Sequence, residues 1–241
     1  MNQEMENNKN DILGQVLWLF LGVIGGIGAA YYLIPLMLPG ITVSLSGVDE
    51  KVYWYLSRAS AIIAYILLWI SMVLGLLLST RLSKAWPGPA KAMEIHQFIS
   101  LLGLFFVGFH TLILMGDVYL APTLWQLLVP FGGFAYQPQW IIWGQFGFYL
   151  WILLVLSFYM RKIIGKKTWR MLHFSSFLLF LVALIHGIGS GTDTSSAVMQ
   201  LVYWASAGSM IFLALFRIIA TIFPEPKPQR RKVVKQVSEQ T

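Results

Sequence analysis

The chain has 241 residues, of which 57% are hydrophobic and 11% charged, and its mean hydropathy is +0.69; a water-soluble globular domain of this size does not carry so few charges. The aromatic residues, 15% of the chain, do not fall in the alternating polar and apolar runs of a transmembrane β-barrel, which leaves helices. With no cysteine, disulfides, Cys-ligated clusters, Cys-type zinc sites, thiol nucleophiles and thioether-linked prosthetic groups are all excluded. The net charge of +7 is a topological signal in so apolar a chain, and no nucleic-acid partner is expected.

Uncharged stretches cover 12–48, 59–80, 95–116, 118–160, 171–192 and 194–216, each at least as long as the roughly 20 residues that cross a bilayer. They predict an all-α, six-helix integral membrane bundle. The first span is expected over about 14–37, ending at the Pro39-Gly40 turn. Pro122, Pro130, Gly132, Gly133 and Pro138 break the first half of 118–160, so 118–138 reads as a re-entrant or interfacial loop and 139–160 as the fourth span. The polar, net acidic start MNQEMENNKN and the length of the first apolar run argue against a cleavable signal. The expected organisation is a cytoplasmic segment 1–13, a transmembrane domain 14–223 and a basic tail 224–241. That tail, with Pro224, Pro226 and Pro228 followed by a basic, polar run, is expected to be extended and disordered, touching anionic lipid or docking an acidic partner.

Basic residues set the direction. With the N-terminus inside, Lys9, Arg81, Lys84, Lys91, Arg161, Lys162, Lys166, Lys167, Arg170 and the basic residues from Arg217 onward are cytoplasmic, whereas only Lys51 and Arg58 are outside. Both termini are then cytoplasmic, and spans 3 and 5 run outward.

All four histidines fall in those two parallel spans: His96 and His110 in span 3, His173 and His186 in span 5. Random scattering would do this roughly once in a thousand cases for spans of bilayer length, and ionisable residues inside a membrane mark function by default. His96 and His110 are 14 residues apart, about 21 Å along a helix and within about 40° of one face. His96 and His173 then share an inner level, and His110 and His186 an outer one. A metalloporphyrin takes two axial imidazoles from different helices at one depth, so the arrangement points to two b-type haems stacked across the membrane. His173 and His186, 13 apart, are rotated by roughly 140° on a straight helix, so span 5 is expected to bend or unwind, with Gly187 and Gly189 offering the place. A zinc site is disfavoured because no carboxylate or cysteine accompanies the histidines; structural or proton-relay histidines are the plainer alternative.

The run HQFISLLGLFFVGFH in span 3 and HFSSFLLFLVALIH in span 5, with WRMLH at 169–173 and SRASAIIAYILLWISMVLGLLLSTRL at 57–82, resemble the ferric reductase-like transmembrane domain family. That family includes the membrane cores of NADPH oxidases and ferric-chelate reductases and the haem subunit of the bacterial methionine-sulfoxide reductase system. The likeness spans about residues 53–223, and the 13-residue step is the family's own spacing. The resemblance implies that His96 with His173 ligates an inner haem and His110 with His186 an outer one, with electrons moving outward across a bacterial cytoplasmic membrane. Outward movement is downhill by up to about 2.3 kcal/mol per 100 mV when the inside is negative.

Members of the family often continue into flavin and nicotinamide domains, whereas this sequence has no Gly-rich phosphate loop in a strand–helix setting up to Thr241. No FAD or NAD(P) site is therefore expected, and a separate flavoprotein or a membrane quinol would supply electrons to an unidentified outer acceptor. Two rivals remain: a quinol-oxidising haem subunit of an extracytoplasmic reductase, and a non-enzymatic membrane haem sensor. Arg58 is a candidate partner for an outer haem propionate or an anionic acceptor, or else an interfacial snorkelling residue. Arg81, Lys91 and Arg170 are inner equivalents. Phe105, Phe106, Phe109, Phe174, Phe177 and Phe180 flank the histidines, with Phe106 and Phe180 midway between the levels; packing or lipid contact is the plainer role. Gly103 and Gly108 permit close approach, Asp193 is expected to cap span 6, and loop 118–138 is expected to form an apolar lid over the outer site.

Overall fold

A computed structural model describes residues 51–80 and 88–223, together with Leu21, Ile24 and Gly25. In chain order the elements are α1 (Val52–Thr80), α2 (Pro89–Ile113) continued by a 3-10 turn (Leu114–Gly116), α3 (Leu124–Leu128), α4 (Pro138–Tyr159), α5 (Arg161–Ile164), α6 (Lys166–Phe174), α7 (Ser176–Ser190) and α8 (Ala197–Ile222). Among the described residues, five stretches are long and apolar enough to cross a bilayer: α1, α2 with its 3-10 turn, α4, α6 joined to α7, and α8. The protein is an all-helical, multi-pass integral membrane protein. The expected first span lies outside the described residues except for Leu21, Ile24 and Gly25, which are helical. Segments 1–13 and 224–241, Arg81 and Lys84 also lie outside them.

Four helices run through charges that bounded the expected spans: α1 through Arg58, α2 through Glu94, α6 through Arg170 and α8 through Arg217. α1 begins seven residues before position 59 and contains Arg58; α8 continues beyond 216 through Arg217 to Ile222. A charge inside an apolar helix needs a partner or a polar cavity, and Arg58 and Arg217 line internal cavities. Prolines set two of the starts: Pro89 and Pro138 occupy the first turns of α2 and α4, where a missing N–H costs nothing.

Helix α1 lies antiparallel against α2, α4 packs on α7, and α8 packs on α1. Their shared core is formed by Tyr65, Leu68, Met72, Leu76, Trp151, Leu154, Leu179, Phe180 and Met210. Outward, Phe98, Leu101, Phe105, Phe109 and Leu112 are exposed on α2 at steps of three and four residues, one helical face turned to lipid. Leu201, Trp204, Ile211, Phe212 and Leu215 do the same for α8.

The segment between α2 and α4 folds back as a packed plug rather than a span. Thr123 and Gln126 form a reciprocal capping box at the start of α3, and Leu127 and Phe134 are buried with Leu114. From α4, the buried Gln145 donates its side-chain amide to the carbonyls of Gln126, Leu127 and Val129, tying the end of α3 down. Ala121, Phe131 and Gln137 all hold positive φ, a cost of order 1–3 kcal/mol each that the surrounding packing must offset.

Close helix approach rests on Gly103, where an added Cβ would lie 2.6 Å from the Trp151 ring, whereas a Cβ at Gly108 meets nothing within 4 Å. Gly103→Ala is expected to lower the melting temperature in detergent, overpacking costing about 1–3 kcal/mol. Gly108→Ala is expected to leave it unchanged or slightly raised, since alanine is the better helix former by about 0.5–1 kcal/mol. Equal melting temperatures for the two variants would contradict this packing.

Candidate functional site

The four histidines meet as two facing pairs. The ring centroids of His96 and His173 are 6.1 Å apart with planes at 86°, and those of His110 and His186 are 6.3 Å apart at 66°. Each pair lines its own cavity. One holds His110 and His186 with Arg58, Tyr65, Asp193 and Tyr203; the other holds His96 and His173 with Gln97, Trp169, Arg170 and Arg217. The second lies at the end of the bundle where Lys91, Arg161, Lys166 and Lys167 cluster in sequence, and is here termed basic-end; the first is termed far-end.

Register explains how α1 serves both levels. Ser57 and Ser71 are 14 residues apart on α1, the same step as His96 and His110 on antiparallel α2. His110 donates from Nδ1 to the Ser57 carbonyl at 2.9 Å, and His96 donates from Nδ1 to the Ser71 carbonyl at 2.9 Å. Serine hydroxyls complete each contact: Ser57 Oγ donates to the His110 carbonyl, and Ser100 Oγ, bonded to Ser71 Oγ, donates to the His96 carbonyl. On the opposite wall, His186 donates from Nδ1 to the Trp140 carbonyl at 2.9 Å. A carbonyl only accepts, so these three bonds put the proton on Nδ1 and leave the Nε2 lone pair free. Carbonyl-backed imidazoles of this kind are typical metal ligands.

His173 is held differently. No hydrogen bond to its ring is present among the described residues; instead it stacks on Trp169, with centroids 5.2 Å apart and planes at 21°.

The irregularity expected in span 5 lies at Ser175 rather than at Gly187 or Gly189. There the helical ladder tightens, with the Ser175 N–H bonding the Leu172 carbonyl, and α6 gives way to α7 between the two histidines. The glycines serve contact instead: an added Cβ on Gly187 would lie 3.3 Å from the Tyr203 hydroxyl, and one on Gly189 would collide with the Trp140 indole. Gly144 on α4 has the same function for the site, since a Cβ there would lie 2.6 Å from the His186 ring.

Other expectations change as well. Asp193 does not cap α8; Ser196 does, accepting from the Met199 N–H. Asp193 instead forms a two-pronged ion pair with Arg58, whose Nε reaches Oδ2 at 2.9 Å, linking α1 to the turn before α8. Phe106 and Phe180 line neither cavity and Phe105 and Phe109 face outward, whereas Phe174 and Phe177 line the basic-end cavity. The residues common to both cavities are Leu68, Trp151 and Leu179. From segment 118–138, Leu120, Leu127, Phe134 and Tyr136 wall the far-end cavity. Arg170 lines the basic-end cavity and Lys91 does not, while Arg217, not singled out from sequence, does.

Among the described residues no group of three or more His, Cys, Asp or Glu side chains converges, so the donors come in twos. The cavities, about 200 Å³ and 390 Å³, greatly exceed the roughly 30 Å³ share of one water molecule. Two imidazole nitrogens bonded at about 2.0 Å on opposite sides of one metal put ring centroids a little over 6 Å apart, which both pairs match. Trp169 Nε1, buried and without a hydrogen-bond partner, is a donor on the basic-end wall awaiting an acceptor. These features fit a flat, metal-centred cofactor carrying acceptor groups.

The Arg58–Asp193 pair is about one-third exposed on each side, which limits its worth to about 1 kcal/mol. In a double-mutant cycle, Arg58→Gln and Asp193→Asn are expected to show a favourable coupling of that order in thermal stability, and additive effects would contradict the pair. Comparison with known proteins finds no matching family model, no matching curated protein and no matching solved structure.

Proposed function

We propose that this protein is a di-haem b membrane electron carrier of the ferric reductase-like type. The observation that carries the reading is the pairing of all four histidines, each pair lining one cavity at ligation distance. His96 and His173 would hold one haem and His110 and His186 the other, and haem supplies reversible one-electron chemistry when bound.

The chain's own residues supply binding, orientation and shielding. Ser57, Ser71 and Trp140 hold three imidazoles with Nε2 directed away from the backbone carbonyls. Arg170 and Arg217 on one level, and Arg58 on the other, offer guanidinium groups to carboxylates. Arg58 keeps donor capacity beyond the two groups used on Asp193. Trp151, buried between the cavities, fills the space between the two levels and excludes water from it. Were each haem held by two histidines, a terminal acceptor would be reduced from the cofactor's edge.

The basic end is taken as cytoplasmic on the distribution of Lys and Arg, and the membrane as a bacterial cytoplasmic membrane on the resemblance to bacterial members of the family. Both termini would then be cytoplasmic, flanking six spans. Electrons would enter from a cytoplasmic flavoprotein or a membrane quinol and leave to an acceptor on the far side. The basic residues of α5 and α6, exposed at Arg161, Lys162, Lys166, Lys167 and Arg170, would favour an acidic donor protein or anionic lipid.

Single substitutions test the pairing. His96→Ala and His173→Ala are each expected to perturb the same one of two low-spin haem signals, and His110→Ala and His186→Ala the other. Gly144→Ala, which drives a methyl group into the His186 ring, is expected to weaken haem retention at the far-end site only. Redox titration with optical detection checks this; different signals perturbed in His96→Ala and His173→Ala would contradict the pairing.

A further inference from the structure

Three of the four imidazoles are fixed by a backbone carbonyl, and His173 is not. A bond from Nδ1–H to an acceptor orients a ligating ring and raises its basicity, and losing such a partner typically weakens metal binding about 10–100-fold. Among the described residues His173 has ring contacts in place of such a bond, stacked on Trp169 and edge-on to His96. Its mounting is also the least constrained of the four. Helix α6 has no buried residue. It is bounded on one side by Gly165 at φ +81° and on the other by the break in the ladder at Ser175, two residues after the histidine. His96, His110 and His186 lie instead within longer helices whose neighbours grip them. The cavity beside His173 is the larger of the two, at about 390 Å³ against about 200 Å³.

The geometry points to His173 as an exchangeable ligand: the basic-end site admits a small neutral donor in place of this imidazole, while His110 and His186, each held by a backbone carbonyl, stay in place. This rests on the haem reading above. The incoming molecule is a compact lone-pair donor of the class of carbon monoxide or a free azole. It would occupy the position vacated by the His173 ring between His96 and Trp169, and its binding displaces His173 without electron transfer or bond cleavage in the ligand. The unpartnered Trp169 Nε1 on that wall supplies a donor for any polar atom the ligand carries. Of the two electron-passing sites, the basic-end one is thereby also open to small molecules.

Carbon monoxide added to the reduced, full-length protein in detergent tests this by its optical difference spectrum. The expected result is a shift of one haem in two, and no more, at saturating gas. The reactive haem is expected to persist in His186→Ala, counted as the haem insensitive to loss of the far-end ligand, and to be absent from His96→Ala. In His173→Gly, free imidazole is expected to restore the low-spin spectrum. Two bound haems that both resist carbon monoxide would overturn this inference and leave the electron-carrier reading intact. So would a reactive haem that survives His96→Ala and is missing from His186→Ala. A preparation that binds no haem under adequate supply would overturn both.

Discussion

The structure turns on a hydrogen bond between an imidazole Nδ1–H and the carbonyl of a neighbouring transmembrane helix. Within a bilayer an unpartnered polar group is costly, and a helical carbonyl with a spare lone pair is among the few acceptors within reach. By spending Nδ1 on Ser71, Ser57 and Trp140, the protein settles the tautomer of His96, His110 and His186 and leaves each a free Nε2 facing a cavity. The helix packing follows from the same contacts. α1 must lie alongside α2 in one register for Ser57 and Ser71 to meet histidines 14 residues apart, and Gly144 must lack a side chain for His186 to approach α4.

Much of this was legible because membranes simplify the code. Span positions and the 13- and 14-residue histidine steps follow from composition and helix geometry, and the five spans within the described residues appear where the uncharged stretches lie. The ends were misplaced at Arg58, Glu94, Arg170 and Arg217, whereas Asp117 and Arg161 did mark where helices stop. Arg58 and Arg217 sit inside helices because each has a cavity to face, and Arg58 has Asp193 besides, a partner 135 residues away that local pattern does not reveal. The irregularity in span 5 was legible as a necessity and not as a place, since a serine that tightens one turn leaves less mark than a glycine pair. The packing glycines are understood only once Trp140, Trp151 and Tyr203 have been set against them.

One signal was available and passed over. The 14-residue step between Ser57 and Ser71 duplicates that between His96 and His110, and antiparallel neighbours with equal steps bring matching residues to matching levels. Trp151 left no such trace: nothing in sequence distinguishes it from the other nine tryptophans, and only the fold puts it between both cavities. Phe106 and Phe180, chosen by depth, line neither cavity, although Phe180 is buried in the shared core and stacks on Tyr65.

In the proposed reading, function depends on the two paired sites being filled together, because a single occupied level leaves a gap of about 21 Å between the histidine levels. The most direct measurement is haem per polypeptide in the purified wild-type protein, by alkaline pyridine assay and a reduced-minus-oxidised spectrum after expression with adequate haem supply. The account predicts two b-type haems per chain with low-spin bands. A protein that folds and stays monodisperse with no haem would contradict it and return the four histidines to structural or proton-relay roles.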